Sequence, residues 1–233
     1  MIVLGIETST MHGGVALLAE DRLLASYALS VEATHSERLL PSIDRVLADA
    51  GLGLKDLSGL AVAIGPGSFT GLRIGLSTVK GLATTTGLPV VGVPTLEAMA
   101  WAMPFAAHPI CPMLDARKAE VYAGLFRFTE GAVTRVMPEA ALRPEELVER
   151  IDGPTIFLGD GARAYAGLLH EALGARALFP PVALRGGNPA LVAELGLWRL
   201  RRGAADSLEH LVPMYLRPSE AELKRAAAMG GGP

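Results

Sequence analysis

The stretch Ala61 to Ala83, AVAIGPGSFTGLRIGLSTVKGLA, constrains the fold more than any other part of the chain. A short apolar strand, Leu60–Ile64, runs into Gly65-Pro66-Gly67-Ser68, and a helix carrying Gly71, Gly75, Thr78 and Gly81 follows to about Thr86. Glycine costs roughly 1 kcal/mol against alanine inside a helix. A helix that keeps several must gain from close backbone approach to a sheet or to another helix. Gly65, Gly67 and Ser68 resemble a phosphate-cradling turn ahead of a helix N-terminus. No Gly-Lys-Ser or Gly-Lys-Thr follows, and Lys80 lies too far along the helix for a Walker loop. The other reading is a tight strand-to-helix connection, and spacing alone does not separate the two.

Around this unit the pattern is that of an α/β protein. Ile2–Glu7, Gly13–Leu18 and Leu23–Leu29 read as strands, with Glu20-Asp21 as a hairpin turn. Ser36–Ala50 has helical period, with Leu39, Leu40, Ile43, Val46 and Leu47 on one broad stripe. Pro41 belongs in a first turn, so this helix is expected to begin shortly before it, capped by Thr34 or Ser36. Gly51 ends it. A strand at Pro89–Val93 and a helix at Thr95–Met103 complete a first unit. After the prolines at 104, 109 and 112 come strands at Ile110–Leu114, Ala119–Phe128 and Ala132–Met137. A helix at Pro144–Arg150, a strand at Thr155–Leu158, a helix from Gly159-Asp160-Gly161 through Ala172 and a helix starting at Asn188-Pro189 follow. The expected architecture is two lobes, each a mixed sheet flanked by helices: residues 1–103, a smaller lobe at 104–217, and a tail at 218–233 whose end is expected to be disordered.

Composition removes several function classes. The net charge of -3 supplies no global basic field for nucleic acid. Cys111 is the only cysteine, which excludes an internal disulfide and a cysteine-based zinc site. His12, His35, His108, His170 and His210 include no pair four residues apart, so no helical metal pair exists. The opening apolar run reaches Glu7 too soon for a secretory leader, and no stretch approaches the roughly 20 apolar residues of a membrane span, so a cytoplasmic location is expected.

Candidate chemistry is sparse. Glu7-Thr8-Ser9-Thr10 follows the first strand, and its hydroxyls and backbone N–H groups could hold phosphate or simply close a hairpin. Asp115 could bind metal or pair with Arg117, the commoner case. Arg199, Arg201 and Arg202 could meet RNA phosphates or stabilise a helix C-terminus. Ser68 lacks a Gly-X-Ser-X-Gly frame for a nucleophile. The apolar positions of the two helices, Leu39, Leu40, Ile43, Val46, Leu47, Leu72, Leu76 and Val79 with Gly71 and Gly75, are wider than one sheet needs. That surplus fits a partner's helix pair or a thicker core.

These blocks, taken together, resemble the bacterial TsaB (YeaZ-type) family. The resemblance is carried in order by MIVLGIETS at 1–9, HSERLLP at 35–41, GPGSFTGLRIGLSTVKGLA at 65–83, VPTL at 93–96, DAR at 115–117 with EVY at 120–122, and PMYLR at 213–217. It implies an actin and sugar-kinase-like fold with two related lobes. It implies a non-catalytic, dimer-forming role beside a catalytic paralogue, TsaD, which transfers a threonylcarbamoyl group to N6 of the adenosine next to the anticodon of tRNAs reading ANN codons. A small ATPase, TsaE, is a further expected partner. A homodimer is expected when the paralogue is absent, with tRNA met only through the complex and no membrane partner. The paralogue's metal-binding His-x-x-x-His pair aligns with Thr95 and Met99, which cannot replace it. No cofactor is required, and weak ATP or ADP binding at a vestigial Glu7–Thr10 and Gly65–Ser68 site is the remaining expectation. An actin-like ATPase or phosphotransferase is the alternative, and a metallopeptidase a weaker one.

Overall fold

The computed structural model describes residues 1–30 and 35–217. The first sheet contains β1 (Ile2–Glu7), β2 (His12–Ala19), β3 (Leu23–Ser30), β4 (Gly59–Gly65) and β5 (Val90–Pro94), in the order β3-β2-β1-β4-β5. β1, β2 and β3 form an antiparallel meander, and β4 and β5 continue from β1 in parallel. Helices α1 (His35–Asp49) and α2 (Phe69–Thr86) are the connections into the parallel half, and α3 (Thr95–Ala100) follows β5.

The second sheet repeats this connectivity. Its strands are β6 (Ile110–Arg117), β7 (Glu120–Thr129), β8 (Ala132–Leu142), β9 (Thr155–Leu158) and β10 (Ala177–Leu178), in the order β10-β9-β6-β7-β8. Again a three-strand meander comes first and two parallel strands extend from its first member. Helices α4 (Pro144–Val148), α5 (Asp160–Ala164) and α6 (Ala166–Leu173) serve this lobe. The helix expected from residue 161 to 172 is two helices, broken at Tyr165, whose φ of -107° leaves the helical region. β8 runs five residues past the expected Met137 because it stays paired to β7 as far as Leu142.

The final helix, α7 (Pro189–Leu200), returns to the first lobe. Val192, Ala193, Leu195 and Leu197 join Val3, Ala61, Ala63, Val91 and Val93 in one core cluster on the sheet face opposite α1 and α2. α7, expected with the second lobe, therefore packs on the first. The approach is close: a Cβ on Gly5 would stand 2.5 Å from the Ala193 nitrogen, and one on Gly196 would stand 2.3 Å from the Ala61 Cβ. The chain after α7 begins on this lobe, where Asp206 bridges to Val90 and accepts a 2.7 Å hydrogen bond from the Gly92 nitrogen.

α1 begins at His35, so Pro41 is its seventh residue rather than a member of the first turn. The missing N–H weakens the helix locally, and burial of Leu39, Ile43, Val46 and Leu47 against the sheet offsets that loss. Thr34, the Ser36 side chain and the tail 218–233 lie outside what is described, and with them the expected capping. Gly51 has φ of +67°, the left-handed cap that its position suggested.

Candidate functional site: an inward-turned loop and an exposed helix pair

Glu7, Thr8, Ser9 and Thr10 end β1 where the β2 hairpin, the α2 N-terminus and the start of α3 converge. All four are buried. Glu7 Oε1 accepts hydrogen bonds from the Ser9 nitrogen at 2.6 Å, the Ser9 hydroxyl at 2.6 Å and the Thr10 nitrogen at 3.0 Å. Thr8 Oγ1 donates to the Gly71 carbonyl at 2.8 Å. Ser9 Oγ in turn accepts from Thr95 Oγ1 at 2.8 Å. The glycine-rich turn Gly65–Ser68 closes onto this loop, because the Ser68 nitrogen donates to the Ser9 carbonyl at 2.7 Å. Ser68 also caps α2 by accepting from the Gly71 nitrogen at 3.2 Å.

The electrostatics of this loop are the reverse of a phosphate site. A phosphate needs open N–H and O–H donors and positive potential. Here the backbone N–H groups of Ser9, Thr10 and Ser68 and the Ser9 hydroxyl already bond to Glu7 and Ser9, the buried Thr10 hydroxyl alone is left without a partner among the described residues, and the group they surround is itself a carboxyl. Burial raises the Glu7 pKa above the ordinary carboxyl value, and hydrogen bonds from Ser9 and Thr10 oppose that rise. These residues do not fit a bound nucleotide phosphate. Gly65, Gly67 and Ser68 are instead a packed junction: a Cβ on Gly67 would stand 2.2 Å from the Ser9 carbonyl oxygen, and one on Gly65 would stand 2.8 Å from the Met214 carbonyl oxygen.

Asp115 and Arg117 lie at the β6–β7 hairpin and pair with each other. Asp115 Oδ1 accepts from the Arg117 nitrogen at 2.8 Å, and Oδ2 faces Arg117 Nη1 at 3.3 Å. Thr95 and Met99 are both buried, Met99 among the apolar side chains between the lobes. Among the described residues no cluster of three His, Cys, Asp or Glu side chains could hold a metal ion.

The helix pair requires a correction. Leu39, Ile43, Val46, Leu47, Leu72, Leu76 and Val79 are all buried in the chain's own core, and Gly71 and Gly75 press on Thr8. The surplus apolar width covers a sheet on which β1, β2 and β4 all present apolar residues, so it belongs to an intramolecular core. Of the ten positions expected at a partner interface, Leu40 alone is exposed, at 55%. The surface that α1 and α2 actually present is a different stripe. On α1 it carries Leu40, Pro41, Asp44 and Ala48, and on α2 Thr70, Arg73, Ser77, Gly81 and Thr84.

One cluster was not legible beforehand. Tyr215 stacks on Phe69 with ring centroids 5.0 Å apart, and Arg73 lies over the same ring at 3.9 Å while its Nε donates to Tyr215 Oη at 3.2 Å. Two residues on, Arg217 Nη1 reaches Glu120 Oε2 at 2.9 Å in the second lobe. The GPGSFTGLR, EVY and PMYLR blocks contain these residues, but sequence gave them no geometry.

The comparisons with known proteins agree with this architecture. Residues 26–226 match the family model described as TsaD, tRNA N6-adenosine threonylcarbamoyltransferase. The chain is 35% identical over 227 residues to the tRNA threonylcarbamoyladenosine biosynthesis protein TsaB of Bacillus subtilis, covering 96% of this chain and 97% of that one. It is 32% identical over 233 residues to the Escherichia coli protein of the same name, covering 95% and 96%. The structure of YeaZ from Pseudomonas aeruginosa superposes with a TM-score of 0.76 at 30% identity, covering 92% of this chain and 99% of that one. The two-lobed architecture is the actin and sugar-kinase-like one. With matches of this identity along nearly its whole length, the chain belongs to the TsaB family of tRNA threonylcarbamoyladenosine biosynthesis proteins.

Proposed function

We propose that this chain is a non-catalytic subunit in the modification of tRNA adenosine, and that it supports a TsaD-type paralogue in transferring threonylcarbamoyl to N6 of the adenosine next to the anticodon. The observation that carries this reading is the inward-turned loop: Glu7 occupies the donors with which an actin-like enzyme would hold phosphate. Thr95 and Met99, at the aligned positions of the metal pair, are packed into the protein and offer no ligand set. Both observations support a chain that works without a catalytic nucleotide or metal of its own.

Its contribution is a docking face. The outer stripe of α1 and α2, with exposed Leu40 and small residues Ser77, Gly81 and Thr84, allows a second helix pair to approach closely. The same stripe serves a homodimer in the paralogue's absence, and the assembled pair offers a composite surface for a TsaE-type ATPase. Leu40→Arg combined with Gly81→Glu tests this, because neither position is packed inside the chain. The double variant is expected to stay folded and to lose association with the paralogue by size-exclusion chromatography with light scattering. Reconstituted tRNA modification is expected to fall in parallel. Undiminished association, or threonylcarbamoyl transfer by the isolated chain, would refute the reading.

A further inference from the structure

The chain has only two tryptophans and six phenylalanines. Both tryptophans and two of the phenylalanines gather in one run where the lobes meet. Trp101 lies just beyond α3, and its ring meets Phe128 of β7 at 5.4 Å and Trp198 of α7 at 6.1 Å. Phe105 extends the run, with its ring 5.6 Å from Phe128. At the other end the Arg202 guanidinium lies 3.7 Å over the Trp198 ring. None of the four rings is fully buried, and Phe105 is 88% exposed. Phe105 also has φ of +64°, a conformation that a bulky side chain rarely adopts. Fold stability gains little from an aromatic ring held in solvent on an unfavourable backbone.

Charge indicates what binds there. Of the three arginines closing α7, Arg199 pairs with Glu97 and Arg201 with Glu20. Among the described residues Arg202 forms no ion pair: it donates one hydrogen bond to the Trp198 carbonyl and leaves its charge for an external anion. An exposed ring and three half-buried ones beside an unpaired, stacked arginine suit unstacked nucleobases on a phosphate backbone. A purely apolar protein partner would leave the arginine charge uncompensated.

We propose that the Phe105–Phe128–Trp101–Trp198–Arg202 run is a stacking surface for single-stranded RNA, such as loop nucleotides of the tRNA. The proposal deepens the tRNA-modification reading and rests on it, but it concerns a face separate from α1 and α2.

The two tryptophans make the test direct, since all indole fluorescence comes from this surface. The full chain is titrated with an unmodified anticodon stem-loop RNA, and in parallel with heparin, a polyanion without bases. Saturable quenching by the RNA and none by heparin is expected. Phe105→Ala is expected to weaken binding about tenfold, and Arg202→Gln to reduce the salt dependence by about one phosphate contact. No quenching, equal quenching by heparin, or an unchanged Phe105→Ala titration would overturn the proposal. Association with the TsaD-type paralogue is measured on the same variant. Loss of that association in folded Phe105→Ala would make this a protein-docking surface and overturn the RNA assignment. Retained association with lost quenching supports it, and failure of the docking reading alone would appear only in the α1 and α2 variants.

Discussion

Gly71, Gly75 and Gly81 lie on one helix and face three different environments. A Cβ on Gly71 would stand 1.9 Å from the Thr8 carbonyl oxygen, which is backbone and cannot step aside. A Cβ on Gly75 would stand 2.3 Å from Thr8 Oγ1. Gly81 has nothing within 4 Å. Gly71→Ala is accordingly expected to destabilise the protein by about 1–3 kcal/mol or more through overpacking, whereas Gly81→Ala should stabilise it by about 0.5–1 kcal/mol. Urea unfolding midpoints distinguish the two, and a destabilised Gly81→Ala would contradict the open environment. Glu7 supplies a pH signature. Its pKa is raised on folding above the ordinary 4.5, so the folded state binds that proton more tightly than the unfolded chain. Its contribution to stability is full below 4.5 and is lost as pH climbs through the folded value. Glu7→Gln keeps an accepting oxygen without the titration. In thermal unfolding the native protein should therefore lose stability relative to this variant as pH rises from 4.5 towards neutrality. A gap that does not change with pH would show that Glu7 titrates as it does in the unfolded chain.

At the scale of elements, α2 has two faces with distinct duties. Leu72, Leu76, Val79 and Ala83 fasten it to the sheet, while Ser77, Gly81 and Thr84 face outward. A charge placed inward and a charge placed outward should therefore fail differently. Leu76→Arg buries an unpaired cation and is expected to unfold the protein, with a loss of several kcal/mol. Gly81→Glu should leave the circular dichroism melt within about 1 kcal/mol of native while weakening association. The reverse ranking in melting and binding experiments would move the interface to another element. α3 and α7 are joined by Arg199, which donates to both Glu97 oxygens at 2.9 and 3.0 Å and to the Gly92 carbonyl at 2.7 Å. That contact ties the helix after the last strand of the first sheet to the helix that returns to it.

Across the whole molecule, the segment 206–217 runs from the first lobe to the second. It starts beside β5 at Asp206, passes the end of β4 where the Met214 nitrogen donates to the Ile64 carbonyl at 2.7 Å, stacks Tyr215 on α2, and ends with Arg217 on Glu120 and the Ala116 carbonyl. The hairpin it meets carries three consecutive non-glycine residues at positive φ: Arg117, Lys118 and Ala119 at 63, 56 and 58°. Such a turn persists when its surroundings hold it. Arg217→Ala removes both of its contacts with that hairpin. It should cost about 0.5–1 kcal/mol and speed hydrogen exchange at residues 116–120 a few-fold, leaving β1 and β4 protected. Unchanged exchange in the hairpin would show that Arg217 does not hold the turn.

How much of this was readable beforehand differs by feature. Strands with continuous apolar runs, such as Leu60–Ile64, and helices with strong period, such as Ser36–Ala50, were legible because local pattern alone dictates them. So was the strand, strand, strand, helix order that makes two alike lobes. The sequence by itself also determined the family and the absence of a metal pair, since those depend on which residues are present. The site was less legible, because burial is a pairwise property. Nothing in the spacing of Leu39, Leu76 or Gly75 says whether a partner or the chain's own sheet covers them. Nothing in Glu7-Thr8-Ser9-Thr10 says that the carboxyl folds back onto its neighbours' donors. Only tertiary structure decided these points. It also decided that α7 crosses to the first lobe, and that Trp101, Phe105, Phe128 and Trp198, up to 97 residues apart in sequence, meet at one surface.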